Sequence, residues 1–155
     1  MRTYFEDFNA DFTCKYCGYF VSARTSISGV VNRNHCPYCL HSRHVDLFEA
    51  GDRLCACKAL MEPVGLAFKR TRDKYANGTQ GELMLVHRCV SCGDLSINRI
   101  AADDDTVKIM NILGLRSDPL AHQCRAEGIA LLMEDDLYQV EKALFGRQVS
   151  VLVSA

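Results

Sequence analysis

The spacing of apolar residues changes along the chain. Val64, Leu66 and Phe68 alternate with Gly65 and Ala67, and Leu83, Leu85 and His87 alternate with Met84, Val86 and Arg88. Successive side chains of a strand point to opposite faces, so two such runs predict a β-hairpin. Asn77, Gly78 and Gly81 in the connection suit its turn. Upstream, the stretches YFVSA (19–23) and GVVNRN (29–34) predict two short strands. Beyond residue 102 the period becomes helical. Asp103, Asp104 and Asp105 precede Val107, Ile109, Met110, Ile112 and Leu113, with Gly114 behind them, which predicts an N-capped and largely buried helix. Pro119 marks the start of a second helix reaching about Gly128. Leu137, Val140, Leu144 and Phe145, spaced i, i+3, i+7 and i+8, predict an amphipathic helix over 134–145 that Gly146 ends. The closing VSVLVSA (149–155) reads equally as a strand or a docking segment.

Cysteine usage adds chemistry to this pattern. Eight of the nine cysteines form the close pairs Cys14/Cys17, Cys36/Cys39, Cys55/Cys57 and Cys89/Cys92, and Cys124 stands alone. Disulfides gain most from closing long loops, whereas a C-x2-C turn aims two thiolates at one point, as tetrahedral zinc requires. Cys14, Cys17, Cys36 and Cys39, with 18 residues between the pairs, predict one four-thiolate zinc site. Gly18 and Gly93, each directly after a pair, suit the positive φ at the end of such a turn. A second site is expected from Cys57, Cys89 and Cys92, with Cys55 as the fourth ligand and His87 as the alternative. Two zinc ions per chain follow.

The fold expected is α+β: a small zinc-ribbon-like β lobe with two metal sites, followed by a short helical C-terminal region. Residues 11–105 would form the metal-binding unit and residues 106–155 the helical extension. No apolar run approaches the roughly 18 residues a membrane span needs, and the acidic start has no signal-peptide core, so a cytoplasmic protein with no membrane partner is expected.

Charge narrows the partners. The formal net charge is −1, without the strong field of a dedicated nucleic-acid binder. Residues 13–100 nevertheless carry twelve basic and seven acidic side chains, a formal +5, whereas residues 101–155 carry five and nine, a formal −4. The basic run Lys69, Arg70, Arg72 and Lys74, with Tyr75 beside it, lies toward the hairpin tip.

At Arg33-Asn34-His35-Cys36-Pro37 the chain spells the motif of the RNHCP domain family, which it resembles over roughly residues 11–105. CLHSRHVD from Cys39 to Asp46, GDR from Gly51, C-x2-LMEP from Cys57, HRCVSCG from His87 and INRIAADD from Ile97 follow in family order. The resemblance implies a zinc-binding, cytoplasmic bacterial protein and implies no reaction. Cys55 fits its pattern less well than Cys57, Cys89, Cys92 and His87 do, which keeps His87 open as a ligand.

Three functions compete. The favoured one is an RNA- or ribosome-associated module. Arg33, Arg43, Lys69, Arg70, Arg72 and Lys74 would contact phosphates, Tyr75 would stack, and the knuckle aromatics Tyr16, Tyr19 and Tyr38 would offer further faces to unpaired bases. The alternative is a zinc-stapled adaptor that contacts protein through its acidic helical tail. The least favoured is a phosphate- or nucleotide-handling enzyme using Arg33, His35, His41, His44 and Asp46. No H-x-E, H-E-x-x-H or G-x-S-x-G signature is present, and fully ligated zinc leaves no position for water. No catalytic residue is therefore expected.

Overall fold

A computed structural model describes residues 10–69, 81–115 and 117–146. The chain is α+β, with antiparallel sheets and helices toward its C-terminal side. A two-stranded sheet pairs β1 (Phe12–Thr13) with β2 (Phe20–Val21). A one-turn helix α1 (Thr25–Ser28) follows. The main sheet runs β3 (Ser42–Arg43), β4 (Leu60–Phe68), β5 (Leu83–Cys89) and β6 (Leu95–Arg99) in chain order, each strand antiparallel to the next. Among the described residues three α-helices follow, α2 (Thr106–Ile112), α3 (Asp118–Ala126) and α4 (Leu137–Phe145), the last entered through a 3-10 turn at Glu134–Asp136. Among the described residues no helix is long and apolar enough to cross a membrane.

The main sheet is covered on both faces, which is why β5 is buried almost throughout. Leu66, Leu83 and Leu85 pack with Leu40 against Ile109 and Ile112 of α2 and Val140 of α4. Ala67 and Val86 pack on the other face with Cys124 and Leu120 of α3. Cys124 is thus a buried thiol, and burial raises its pKa. Val64 joins Ala67's cluster although plain alternation puts it with Leu66. The register explains this: Pro63 faces His87 while Gly65 faces Val86, so Val64 is an extra residue that inverts the alternation at that end of β4. Gly65 lies beneath a later part of the chain. The segment after α3 crosses over it, with Leu132 N–H donating to Leu66 O at 2.8 Å, and a Cβ on Gly65 would lie 2.6 Å from Leu131 Cδ2.

The helix ends follow the sequence signals. Asp105 caps α2, its carboxylate accepting from Val107 and Lys108 N–H. Pro119 sits in the first turn of α3, where Ser117, not among the sequence candidates, is the cap, and Gly146 ends α4 at φ 72°. The upstream strand expectation is only half met. Residues 20–21 do form a strand, but its partner is Phe12–Thr13, and no strand forms over residues 29–34. That stretch is irregular, with Asn32 at φ 57° and Arg33 and Asn34 turned inward to polar partners.

Candidate metal centres

Three of the cysteine pairs sit in turns of one design. In each, the first cysteine's carbonyl accepts the N–H of the residue after the second cysteine: Gly18 to Cys14 at 2.9 Å, Leu40 to Cys36 at 2.9 Å and Gly93 to Cys89 at 3.0 Å. In each, the first cysteine's N–H donates onward, to Tyr19, His41 and Asp94 carbonyls respectively. The turn requires a left-handed residue at its end, and Gly18, Leu40 and Gly93 have φ of 79°, 63° and 80°. Leu40 accepts a conformation that suits glycine because its side chain, fully buried, belongs to the main core.

The first two turns face each other. Cys14 Sγ lies 3.5 Å from Cys39 Sγ and Cys17 Sγ lies 3.6 Å from Cys36 Sγ, and all four sulfurs fall within 4.8 Å of one another. Zn–S bonds of about 2.3 Å in a tetrahedron separate sulfurs by about 3.8 Å, so these distances fit a single ion. The third turn forms a second group with Cys57 and His44: Cys57 Sγ is 3.6 Å from Cys89 Sγ, and His44 Nδ1 is 3.3 Å from Cys92 Sγ.

His44, not Cys55 or His87, completes this second group. Pairing of β3 with β4 is the cause. His44 N–H donates to Ala59 O and its carbonyl accepts Lys58 N–H, both at 2.9 Å, which sets the imidazole beside Cys57. Cys55 is held instead by its N–H on Val45 O, and the bend at Ala56 turns its neighbour Cys57 away from it toward Cys89. His87 is fully buried in mid-strand with both ring nitrogens engaged, Nε2 2.6 Å from Leu40 O and Nδ1 2.8 Å from Asn98 Nδ2. An Nε2–H tautomer satisfies both contacts. Burial, reinforced by the neighbouring His35, pushes the His87 pKa down to about 3, so the ring is neutral.

The thiols are electrostatically suited to a cation. Burial, the largest influence on Cys89, works against its thiolate, yet N–H groups of Cys92 and Ser91 bring its pKa down to about 6. Cys92 beside it has a backbone donor at Asp94, but desolvation and the Cys89 charge push it up to about 11. Burial likewise raises Cys36 to about 11, whereas the Tyr19 N–H and the surrounding sulfurs outweigh burial at Cys17 and lower it. Clusters in which one thiolate forms readily and its neighbour resists a like charge are resolved by a divalent ion. Each group supplies four protein donors, and a metal held by all four has no open position for substrate, which is the pattern of structural sites.

The RNHCP motif itself turns inward. Arg33 has a side chain with no exposed surface and grips Asp103 through Nη1 and Nη2 at 2.9 and 2.7 Å, while its Nε donates to His35 O at 3.2 Å. It therefore has no face to offer a phosphate, and its expected place among the RNA contacts is corrected. Asn34 donates to Asp46 at 2.8 Å and accepts from Arg53. His35 Nε2 lies 2.7 Å from Asp104, whose carboxylate also accepts Ala101 N–H. Pro37 O accepts Asp105 N–H at 3.0 Å. Of the three aspartates, only Asp105 serves as a helix cap; Asp103 and Asp104 are ionic partners for the motif.

The other sequence candidates separate. Arg43 lies over the Phe12 ring at 4.1 Å and is half-buried. Lys69 is exposed, its N–H paired to Glu82 O. Arg70, Arg72, Lys74 and Tyr75 lie outside the described residues. Arg33 and His35 meet at Asp104, but His41 stacks on Tyr16 with centroids 3.6 Å apart, His44 joins the second thiolate group and Asp46 pairs with Asn34 and Arg53, so the five do not form one cluster.

Missing from the sequence candidates was His44 as a ligand. Its signal is weak, because only the register Arg43↔Leu60 brings it next to Cys57. Comparison with known proteins finds one family: the RNHCP domain model matches residues 9–110. Neither curated proteins nor solved structures give a match.

Proposed function

The chain belongs to the RNHCP domain family, and from that premise we propose that it is a zinc-stabilised module that binds single-stranded RNA, alone or within the ribosome. Zinc is the metal the donor sets favour, since thiolate-rich tetrahedra with imidazole as a fourth ligand suit it. Thiolates in such numbers need a reducing compartment, which supports a cytoplasmic setting.

One observation carries the RNA reading. The first pair of knuckles exposes Tyr16, Tyr19, Phe20 and Tyr38 at 50–63% of their surface, with Tyr19 and Tyr38 ring centroids 4.9 Å apart. Rings on a metal-fixed turn lose little entropy on stacking, and base–aromatic stacking contributes about 1–3 kcal/mol per base. Arg43 and the basic run from Lys69 to Lys74 supply the phosphate contacts in this reading. The test is titration of a labelled single-stranded RNA into the zinc-loaded protein across a salt series. Log affinity should fall with log salt at about −0.7 per phosphate contact. Tyr19→Ala with Tyr38→Ala should weaken binding at least about tenfold with both metals retained. Unchanged affinity in that variant would refute the stacking face.

A further inference from the structure

A groove of about 360 Å³ lies beside the second metal centre, between the loop after β3 and β6. Its lining is informative. Residues 94–98 all border it consecutively. Successive side chains of a strand point to opposite faces, so contact with four consecutive residues of β6, Leu95 to Asn98, means that the groove reaches round the strand's open edge. Met61 of β4, which accepts from Ser96 Oγ at 3.6 Å, places part of its floor on the sheet face. β6 pairs with β5 alone in the sheet order, and among the described residues nothing pairs with its outer side. Such an edge presents unpaired N–H and C=O groups in register for another strand.

The opposite wall is built to hold an exposed anchor. Phe48 is 82% exposed, yet its loop is fixed: the Asp52 carboxylate accepts the N–H groups of Leu47, Phe48, Glu49 and Leu54 at 2.8–3.1 Å. These four bonds hold the Asp52 pKa well below the usual carboxylate range. A large ring kept in solvent by an ordered loop is a preformed contact whose ordering cost is already met.

Charge selects the occupant. Asp46, Glu49, Asp94 and Glu127 line the groove against Arg43 and His44, and Asp46 is partly offset by Arg53 at 3.4 Å. The wall is net acidic, and an ion held by three thiolates and His44 adds a further formal negative charge beside it. Nucleic acid is disfavoured there.

We propose that this groove docks an extended, basic peptide segment of a partner protein, which adds as a strand to β6, packs its apolar side chains on Phe48 and Ile97, and directs its arginines or lysines at Glu49 and Glu127. This is strand addition to an open sheet edge, with main-chain bonds for affinity and alternate side chains for selectivity. It does not rest on the RNA reading, which uses the tyrosines of the first knuckles, although Arg43 belongs to both.

The probe is a labelled eight-residue peptide alternating arginine and valine, titrated into the full zinc-loaded chain and followed by fluorescence anisotropy. Saturable binding is expected that weakens as salt rises. The same peptide with alternate amides N-methylated, which cannot pair with an edge, should bind at least about tenfold more weakly. Phe48→Ala, and Glu49→Gln with Glu127→Gln, should each cost a similar factor. All three substituted side chains are exposed, so these variants should fold. The proposal is overturned by equal binding of the N-methylated peptide, by equal binding of a glutamate-for-arginine version, or by no saturation at about 1 mM peptide. Displacement of the peptide by single-stranded RNA would assign the groove to nucleic acid instead. A monomer–dimer equilibrium in sedimentation that Phe48→Ala abolishes would assign it to a second copy of the chain.

Discussion

Removing the carboxylate that Arg33 grips tests what the family motif does. Arg33 has 0% side-chain exposure, whereas Asp103 retains 28% and Asp104 none. Breaking a buried ion pair by deleting one partner costs about 3–5 kcal/mol, because the other charge stays buried without compensation. For Asp103→Leu the figure must be discounted to about 2–3 kcal/mol, since the lost partner is part-exposed and Asp104 Oδ1 remains 3.6 Å from the guanidinium. Arg33→Met is expected to cost more, about 3–5 kcal/mol. It strips Asp104 of that guanidinium, and Asp104 Oδ1 has no hydrogen-bond partner of its own. The double variant should be less damaging than the two costs summed, with a coupling of about 1–3 kcal/mol. The assay is thermal and urea unfolding at saturating zinc, where Asp103→Leu should lower Tm by about 5–10 °C. Because the pair ties the residues leading into Cys36 to the start of α2, metal should also leave the four-cysteine group faster on chelation while the His44 group is unaffected. An Asp103→Leu protein with undiminished Tm, or one less stable than Arg33→Met, would refute this account of the motif.

Three further outcomes follow from the packing and the sites. Elemental analysis should give two zinc ions for wild type and for Cys55→Ala, but one for His44→Ala; loss of an ion in Cys55→Ala would restore Cys55 as the ligand. His87 is held neutral with a pKa near 3 against a usual value of 6.5, so its contribution to stability is complete above about pH 6.5 and is lost as pH falls toward 3. Between pH 6.5 and 5 the unfolding free energy should decline by up to about 1.4 kcal/mol per pH unit on this account, and His87→Gln should remove that slope in urea unfolding. Gly65→Ala should destabilise by no more than about 1 kcal/mol in urea unfolding, because the atom a Cβ would approach to 2.6 Å is the movable end of the Leu131 side chain.

What the sequence makes legible is what is local. The three C-x2-C turns need only a cysteine pair and a residue that tolerates positive φ, and two of them advertise it with Gly18 and Gly93. The hairpin was readable because alternation survives even when both sheet faces are covered, and the helix starts because Asp105 and Pro119 act within one turn. The failures all depend on residues far apart in the chain. Cys55 looks like a ligand beside Cys57, and only the pairing of residues 42–43 with 60–61 reveals that His44 arrives first. Arg33 looks like a surface cation until Asp103, 70 residues away, is found against it. The triple aspartate looks like one capping feature and is three separate devices. Val64 is misassigned because a bulge beside Pro63 leaves no reliable mark in the pattern.

The inward turn of the motif has a consequence for recognition. Arg33, His35 and Cys36 are buried, and Asn34 is committed to Asp46 and Arg53. Residues spent on closing the N-terminal knuckles onto α2 cannot also discriminate a partner. Whatever this chain recognises must meet side chains outside the motif, and the described surface offers two sets that differ in chemistry. The tyrosines of the first knuckles are flat and polar-tipped, which suits bases. Phe48 and Ile97 are apolar and rimmed by carboxylates beside the open β6 edge, which suits a basic strand. Substitutions in the motif should therefore act on both activities together, in proportion to lost stability. Tyr19→Ala and Phe48→Ala should each remove one activity and spare the other, and a single variant at either aromatic that abolished both would mean the two faces form one site.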